Sequence, residues 1–208
     1  MASSGPKGLQ YFWLRRLHSL LGVVPIGAFV LEHFFSNSYA FQGPEAFDRM
    51  VVDLQGLPLV VGLEIGLIGL PIFFHVALGI VITATGANNF LRYNYYRNWM
   101  YFLQRVTGGF ALLFIAYHVW TTRIAAAMSN RHFTYRDMQQ LLAPEWAQWL
   151  YAIGILSVTF HFANGLATSL ITWGITVSPA AQRRASAVSW FVFVGMATWG
   201  LAIMRVFG

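Results

Sequence analysis

Five long apolar stretches run through this 208-residue chain, at about 17–35, 58–83, 101–120, 146–173 and 187–207, and leave little sequence for anything else. A helix crossing the hydrocarbon core of a bilayer needs about 20 predominantly apolar residues. The second and fourth stretches are long enough to cross with tilt. Only 10% of the residues are charged and 57% are hydrophobic, against about 25% charged in a water-soluble domain. Mean hydropathy is +0.57. Too little polar surface remains to cover a water-facing body, so the bilayer is the solvent and a sizeable soluble catalytic domain is excluded. The absence of cysteine excludes disulfides, iron–sulfur ligation and covalent haem attachment on this chain. The expectation is an all-α membrane protein of five transmembrane helices, a single domain over 1–208, without internal repeats.

Breakers and interfacial aromatics mark the stretches. Pro58 opens the second, Trp146 and Trp149 open the fourth, and Ser178-Pro179 follows it. Pro25 and Pro71 lie inside spans, where neighbouring groups can satisfy the freed carbonyl. Arg15 and Arg16 ahead of an apolar run resemble a secretory signal. Cleavage near Ser38-Tyr39-Ala40 would discard His33, so the segment is read as a retained first span. With the N-terminus in the cytoplasm, the inner segments hold Lys7, Arg15, Arg16, Arg92, Arg97, Arg105, Arg183 and Arg184. The outer side holds Arg49, Arg123, Arg131, Arg136 and Arg205, and all seven acids fall toward it. Excess Lys and Arg on the cytoplasmic side supports that orientation. The net charge of +6 thus reports topology rather than nucleic acid.

The chemistry lies in the histidines. Intramembrane ionisable residues are rare and default to function, and each of the first four spans carries one: His33, His75, His118 and His161. At about 1.5 Å per residue, His33 and His118 lie about 24–25 Å from the inner end. His75 and His161 lie roughly 12–17 Å from it. The four sort into an outer pair, His33 with His118, and an inner pair, His75 with His161. Two imidazoles from different helices at one level suit the axial positions of a haem iron, so a haem b is expected at each level inside a bundle of the first four helices.

Alternatives stay open beside that reading. Zinc needs three or four converging ligands, and a proton relay needs no matched depths. His75 and His161 are each followed four residues later by glycine, Gly79 and Gly165. That spacing puts both on one helix face, where a missing side chain admits a porphyrin edge or marks small-residue helix packing. His18 has the same spacing to Gly22 but lies near two arginines, and is read as interfacial or propionate-contacting, with iron ligation the lesser alternative. His132, in the outer loop, is read as solvated.

At these residues the chain resembles a known family. The carriers are Phe12-Trp-Leu-Arg-Arg-Leu-His-Ser-Leu-Leu-Gly22, Leu63-Glu-Ile, Arg97-Asn-Trp-Met100, Leu103-Gln-Arg-Val-Thr-Gly108, His118-Val-Trp120, Thr122-Arg-Ile-Ala-Ala126, Phe160-His-Phe-Ala-Asn-Gly165 and Thr172-Trp-Gly-Ile-Thr-Val177. Together they resemble the five-helix, di-haem cytochrome b membrane anchor of succinate:menaquinone oxidoreductases over nearly the whole chain, although Phe12-Trp13-Leu14 departs from the motif at its edge. The resemblance implies a flavoprotein with covalent FAD and an iron–sulfur subunit on the cytoplasmic face, with succinate oxidised on the flavoprotein. It implies electrons passing through the inner and outer haems to menaquinone, and the same ligand pairs, His75/His161 and His33/His118. It also implies a multi-pass protein of the bacterial cytoplasmic membrane, in contact with lipid, with a higher oligomer of the complex left open.

Supporting residues carry weaker expectations. Haem propionates attract arginine: Arg15, Arg16 and Arg105 suit the inner haem and Arg123 the outer, unless each only marks a span end. Glu64, two turns into the second span, is a candidate proton donor to quinone, with Glu32 second, unless it faces interfacial water. Trp13, Trp99, Trp120, Trp146, Trp149 and Trp173 read as an interfacial belt. The loops 88–99 and 174–187 form a basic inner face suited to docking the iron–sulfur subunit, or only a topology signal. The competing functions are a quinol:fumarate reductase anchor, a di-haem anchor of another quinone-linked oxidoreductase, and a haem-free anchor or transporter.

Overall fold

The structure, a computed structural model, describes residues 6–208, with side chains described from residue 8. Lys7, counted with the inner charges, has its side chain outside that description. Five helices are long and apolar enough to cross a membrane: Gly8–Gln42, Val60–Ala84, Tyr96–Met128, Glu145–Thr172 and Pro179–Phe207. No strand occurs among the described residues. The helices outrun the apolar windows because their polar ends continue the backbone ladder into the interface. The segment 174–187, expected as a loop, is mostly helix. Ser178 caps the helix through Oγ, which accepts from the Ala181 N–H at 3.1 Å, and Pro179 takes the first turn, where its missing N–H costs nothing.

The first span joins α1 (Pro6–Val23) to α2 (Pro25–Asn37) and a 3-10 turn, Ser38–Gln42. Pro25 interrupts it for only one residue. Val24 N–H still reaches Leu20 C=O at 2.9 Å, and Ala28 N–H reaches Val24 C=O at 3.0 Å. After α3 (Pro44–Gln55), the second span runs through α4 (Val60–Leu63), a π-helical turn (Glu64–Gly69) and α5 (Leu70–Ala84). The wider turn lies just ahead of Pro71, whose ring would crowd the fourth preceding carbonyl in a regular α-helix. The third span is α6 (Tyr96–Val119), a second π turn (Trp120–Ile124) and α7 (Ala125–Met128). Next come α8 (Tyr135–Leu142), α9 (Glu145–Thr172) and α10 (Pro179–Phe207).

Helix α9 is the centre, packed against α10, α6 and α1, while α5 packs on α1. Half of the most apolar window of α9 is buried, against 6% for the second span, which therefore presents most of its surface outward. Phe73, Leu113 and Phe191, all more than 60% exposed, point away from the chain. So many bare apolar side chains are tolerable only where the surroundings are hydrocarbon. The six tryptophans at the span ends are likewise exposed, as an interfacial belt requires.

The tightest core lies at the end opposite the N-terminus, where Phe34, Phe47, Tyr135, Leu142, Tyr151, Met196, Ile203 and Phe207 pack together. Polar ties hold α3 and α8 over it. Tyr135 N–H donates to Asp48 Oδ1 at 2.7 Å, and Tyr135 OH donates to Val206 C=O at 2.8 Å. Trp199 Nε1–H reaches Ser38 Oγ at 2.7 Å. Phe34 and Tyr151 of this core neighbour His33 and His118, so the aromatic packing extends to that histidine pair.

Candidate functional site

The four histidines meet in the expected pairs. His75 on α5 faces His161 on α9 with ring centroids 6.0 Å apart, and His33 on α2 faces His118 on α6 at 5.7 Å. In both pairs the rings are nearly perpendicular, at 86° and 82°. The names inner and outer follow the expected orientation.

Hydrogen bonding fixes the inner rings. His75 Nδ1 lies 3.0 Å from His18 C=O, and His161 Nδ1 lies 2.9 Å from Gln104 C=O. A carbonyl only accepts, so each Nδ1 carries the proton and each neutral ring has an unprotonated Nε2. The rings come this close to foreign backbone because glycine opposes them. A Cβ on Gly22 would stand 2.5 Å from His75 Cε1, and one on Gly108 would stand 2.8 Å from His161 Cε1.

His18 is placed otherwise than expected. Its ring stacks on His75 at 3.9 Å and 15°, and its Nδ1–H donates to His75 C=O at 2.9 Å. It is an interior partner of His75 rather than an interfacial residue. Gln104, unremarked in the sequence reading, plays the matching part: its Nε2–H donates to His161 C=O at 3.0 Å. Asn164 orients that amide, donating to Gln104 Oε1 at 2.7 Å.

At the outer level His118 Nδ1 lies 3.1 Å from the hydroxyl of Tyr151, a residue only 3% exposed. Phe114 stacks on His118 at 5.7 Å and 25°. Asn37 donates to His33 C=O at 2.7 Å and lies 3.4 Å from the His33 Nδ1. Sequence reasoning missed Tyr151 and Asn37. The available signal was a hydroxyl-bearing ring within the first two turns of the fourth span in one case and a polar group one helix turn from His33 in the other.

The charged candidates fall in different places. Glu64 is not isolated: Arg123 holds it in a bidentate ion pair, Nε to Oε1 at 2.8 Å and Nη2 to Oε2 at 2.9 Å. Each partner sits in a π turn, one per span. Glu32 is exposed beside His33. Arg105 hydrogen bonds to Tyr101 OH, reaches Asn88 Oδ1 at 3.0 Å and reaches Ile82 C=O at 3.3 Å, closing the end of α5. Arg16 lies over the rings of Phe12, at 4.3 Å, and Trp173, at 5.1 Å. Its Nε and the Ser19 Oγ one turn on are buried without a hydrogen-bond partner among the described residues. His132, expected to be merely solvated, is exposed and bonds Gln55 Oε1 at 2.5 Å.

Fold and interior together define a class: a multi-pass helical membrane protein with paired histidines at two levels of its interior. Residues 87–202 match the family described as the succinate dehydrogenase/fumarate reductase transmembrane subunit. The chain is also 42% identical over 200 residues to the succinate dehydrogenase cytochrome b558 subunit of Bacillus subtilis (strain 168), covering 96% of this chain and 98% of that one. The chain belongs to the family of succinate dehydrogenase and fumarate reductase membrane subunits.

Proposed function

We propose that this chain anchors a succinate dehydrogenase in the bacterial cytoplasmic membrane and carries electrons from its iron–sulfur subunit to menaquinone, using two b haems. The observation that carries the reading is the pairing of His75 with His161 and His33 with His118 at two levels. Two imidazole nitrogens sharing one metal atom at about 2 Å each place ring centres roughly 6 Å apart, close to both separations. The donor chemistry fits as well. Backbone carbonyls take the Nδ1 protons of His75 and His161, leaving Nε2 lone pairs for iron. The Tyr151 hydroxyl, which can accept as well as donate, is placed to take the His118 Nδ1 proton in the proposed tautomer. Arg16 Nε and Ser19 Oγ, buried and without partners, suit an anionic propionate at the inner level.

His75 and His161 would hold the inner haem, and His33 and His118 the outer. Each haem, when bound, supplies a one-electron station between the iron–sulfur subunit and the quinone. At the outer station Phe114 and Tyr151 pack against His118 and would shield it from water. Quinone reduction also needs protons, and Glu64 is the carboxyl proposed to supply them. Its bidentate pairing means that Arg123 must release it, or swing to a propionate or quinone oxygen, when Glu64 takes a proton. The flavoprotein and iron–sulfur subunits would dock on the face that holds Arg97, Arg183 and Arg184, with the succinate site on the flavoprotein.

The test is haem counted per polypeptide by pyridine haemochrome on the purified membrane protein. Two b haems are expected in the parent chain and one in His75→Leu or His161→Leu. A count of one in the parent would break the pairing. A count of none from cells well supplied with haem would sink the electron-transfer reading and leave a structural anchor.

A further inference from the structure

The expectation of no internal repeat does not hold at the inner site. His18 and His75 stand 57 positions apart, as do Gln104 and His161. The second hairpin repeats the first 86 positions further on: Trp13, Leu17, His18 and Gly22 match Trp99, Leu103, Gln104 and Gly108, and Phe74-His75, Ala77 and Gly79 match Phe160-His161, Ala163 and Gly165. The contacts repeat with the residues. In the first hairpin His75 lies over Gly22 and His18 over Gly79, with Cβ clearances of 2.5 and 3.1 Å. In the second His161 lies over Gly108 and Gln104 over Gly165, at 2.8 and 3.3 Å. In each hairpin the paired side chains exchange hydrogen bonds with one another's backbone carbonyls, at 2.9 and 3.0 Å in the first and 2.9 and 3.0 Å in the second.

We propose that His18 and Gln104 are equivalent positioning residues, each clamping one inner histidine by a reciprocal hydrogen-bonded, glycine-seated contact, and that His18 serves as a side-chain N–H donor and not as an iron ligand. The inference rests on the proposed inner haem. Its ground is chemical: an amide cannot replace an imidazole on iron, yet Gln104 fills the second copy of this seat and makes the same bond there. The clamp fixes two things at once. It presses a carbonyl against Nδ1, which sets the tautomer and basicity of the ring, and it pins the ligand's own backbone to the neighbouring helix. One detail separates the copies. Gln104 needs Asn164 to hold its amide, whereas the matching position in the first hairpin is Leu78, since the rigid His18 ring needs no such support.

The experiment swaps the clamps. His18→Gln, alone and with Leu78→Asn, and Gln104→His are compared with His18→Leu in the intact complex, reading haem count, visible and EPR signatures, and the inner haem's midpoint potential. His75→Leu identifies the inner signal. At least one of the two glutamine-bearing proteins, and Gln104→His, are expected to keep two haems with the parent's inner EPR signature. His18→Leu is expected to lose the inner haem, shift its EPR signature and potential, or fail to accumulate. Loss of the inner haem in both glutamine-bearing proteins would overturn the proposal and make His18 irreplaceable as an imidazole. An inner haem unmoved in His18→Leu would overturn it from the other side, leaving the contact without effect. A parent chain without haem would instead defeat the functional reading, which keeps the two failures distinct.

Discussion

At the scale of single residues, the interior shows how backbone chemistry can set side-chain chemistry. The carbonyls of His18 and Gln104 already lie in helical backbone, and the oxygen's second lone pair remains for an imidazole N–H. The tautomers of His75 and His161 therefore follow from where two helices touch. Glu64 shows the opposite case, a side chain whose state depends on another side chain. Its ion pair with Arg123 is bidentate, and with both side chains about one-third exposed solvent screens part of the pairing. Glu64→Gln keeps the shape and removes the proton site. Haem count and spectra are expected to stay at the parent values while quinone reduction falls on the order of 10²-fold, measured with succinate and a soluble quinone analogue. Quinone reduction at the parent rate would remove Glu64 from the proton path. The histidines were legible in the sequence because ionisable groups stand out against an apolar background. Gln104, Tyr151 and the Arg123 partner of Glu64 were not, because each matters only through a residue 33 to 59 positions away.

At the scale of elements, the apolar windows located the spans but not their ends or their irregularities. Ends are polar, so α1 and α10 extend well beyond their hydrophobic stretches. The π turns at Glu64–Gly69 and Trp120–Ile124 leave no hydropathy signature, yet each presents one partner of the same ion pair. Glycines carry the close helix contacts. A Cβ at Gly154 of α9 would collide with the Phe114 ring of α6, the ring that stacks on His118. Gly154→Ala is expected to cost about 1–3 kcal/mol of stability by overpacking and to lower outer-haem occupancy, with the inner signal kept. Equal loss at both levels would show that Phe114 does not act locally. The short helix α8 has its own lock: Thr134 Oγ1 accepts from Asp137 N–H at 3.2 Å while the Asp137 carboxylate accepts from Thr134 N–H at 2.8 Å and from Arg131 at 2.5 Å. Burial pushes the Asp137 carboxyl up, but these hydrogen bonds outweigh it and hold its pKa below the ordinary value. A depressed folded value means that the stabilisation is whole above about pH 4, the ordinary aspartate range, and is lost as the pH falls through the folded pKa. Protection of the amides over 135–142, taken relative to their intrinsic exchange rate at each pH, is expected to fall on acidification below that range. Asp137→Asn, with nothing left to titrate, is expected to flatten the response.

At the scale of the whole molecule, the distribution of charge is what distinguishes the two ends. One end is closed by α3, α8 and an aromatic core, and carries the acids. The other presents arginines on separate elements that the structure ties together. Arg97 at the start of α6 hydrogen bonds to Gln182 in the first turns of α10, and Gln182 Nε2 donates in turn to Thr176 C=O at 2.9 Å. The basic segments that looked like independent loops are thus one surface, with Arg183 and Arg184 exposed on a capped helix rather than on a flexible connection. A rigid cationic face contributes mainly to encounter rate and register with an acidic partner, and its effect is screened by salt. Reversing both charges, Arg183→Glu with Arg184→Glu, places repulsion where attraction is proposed without touching either histidine pair. The membrane chain is expected to retain its haem spectrum while recovery of the iron–sulfur and flavoprotein subunits on co-purification falls about tenfold or more at low salt. Raising the ionic strength should narrow the gap between parent and variant from both sides, since screening weakens the attraction and the repulsion alike. Partner subunits recovered in parent amounts at low salt would mean that these arginines report topology alone, and that the soluble subunits are held elsewhere on this face.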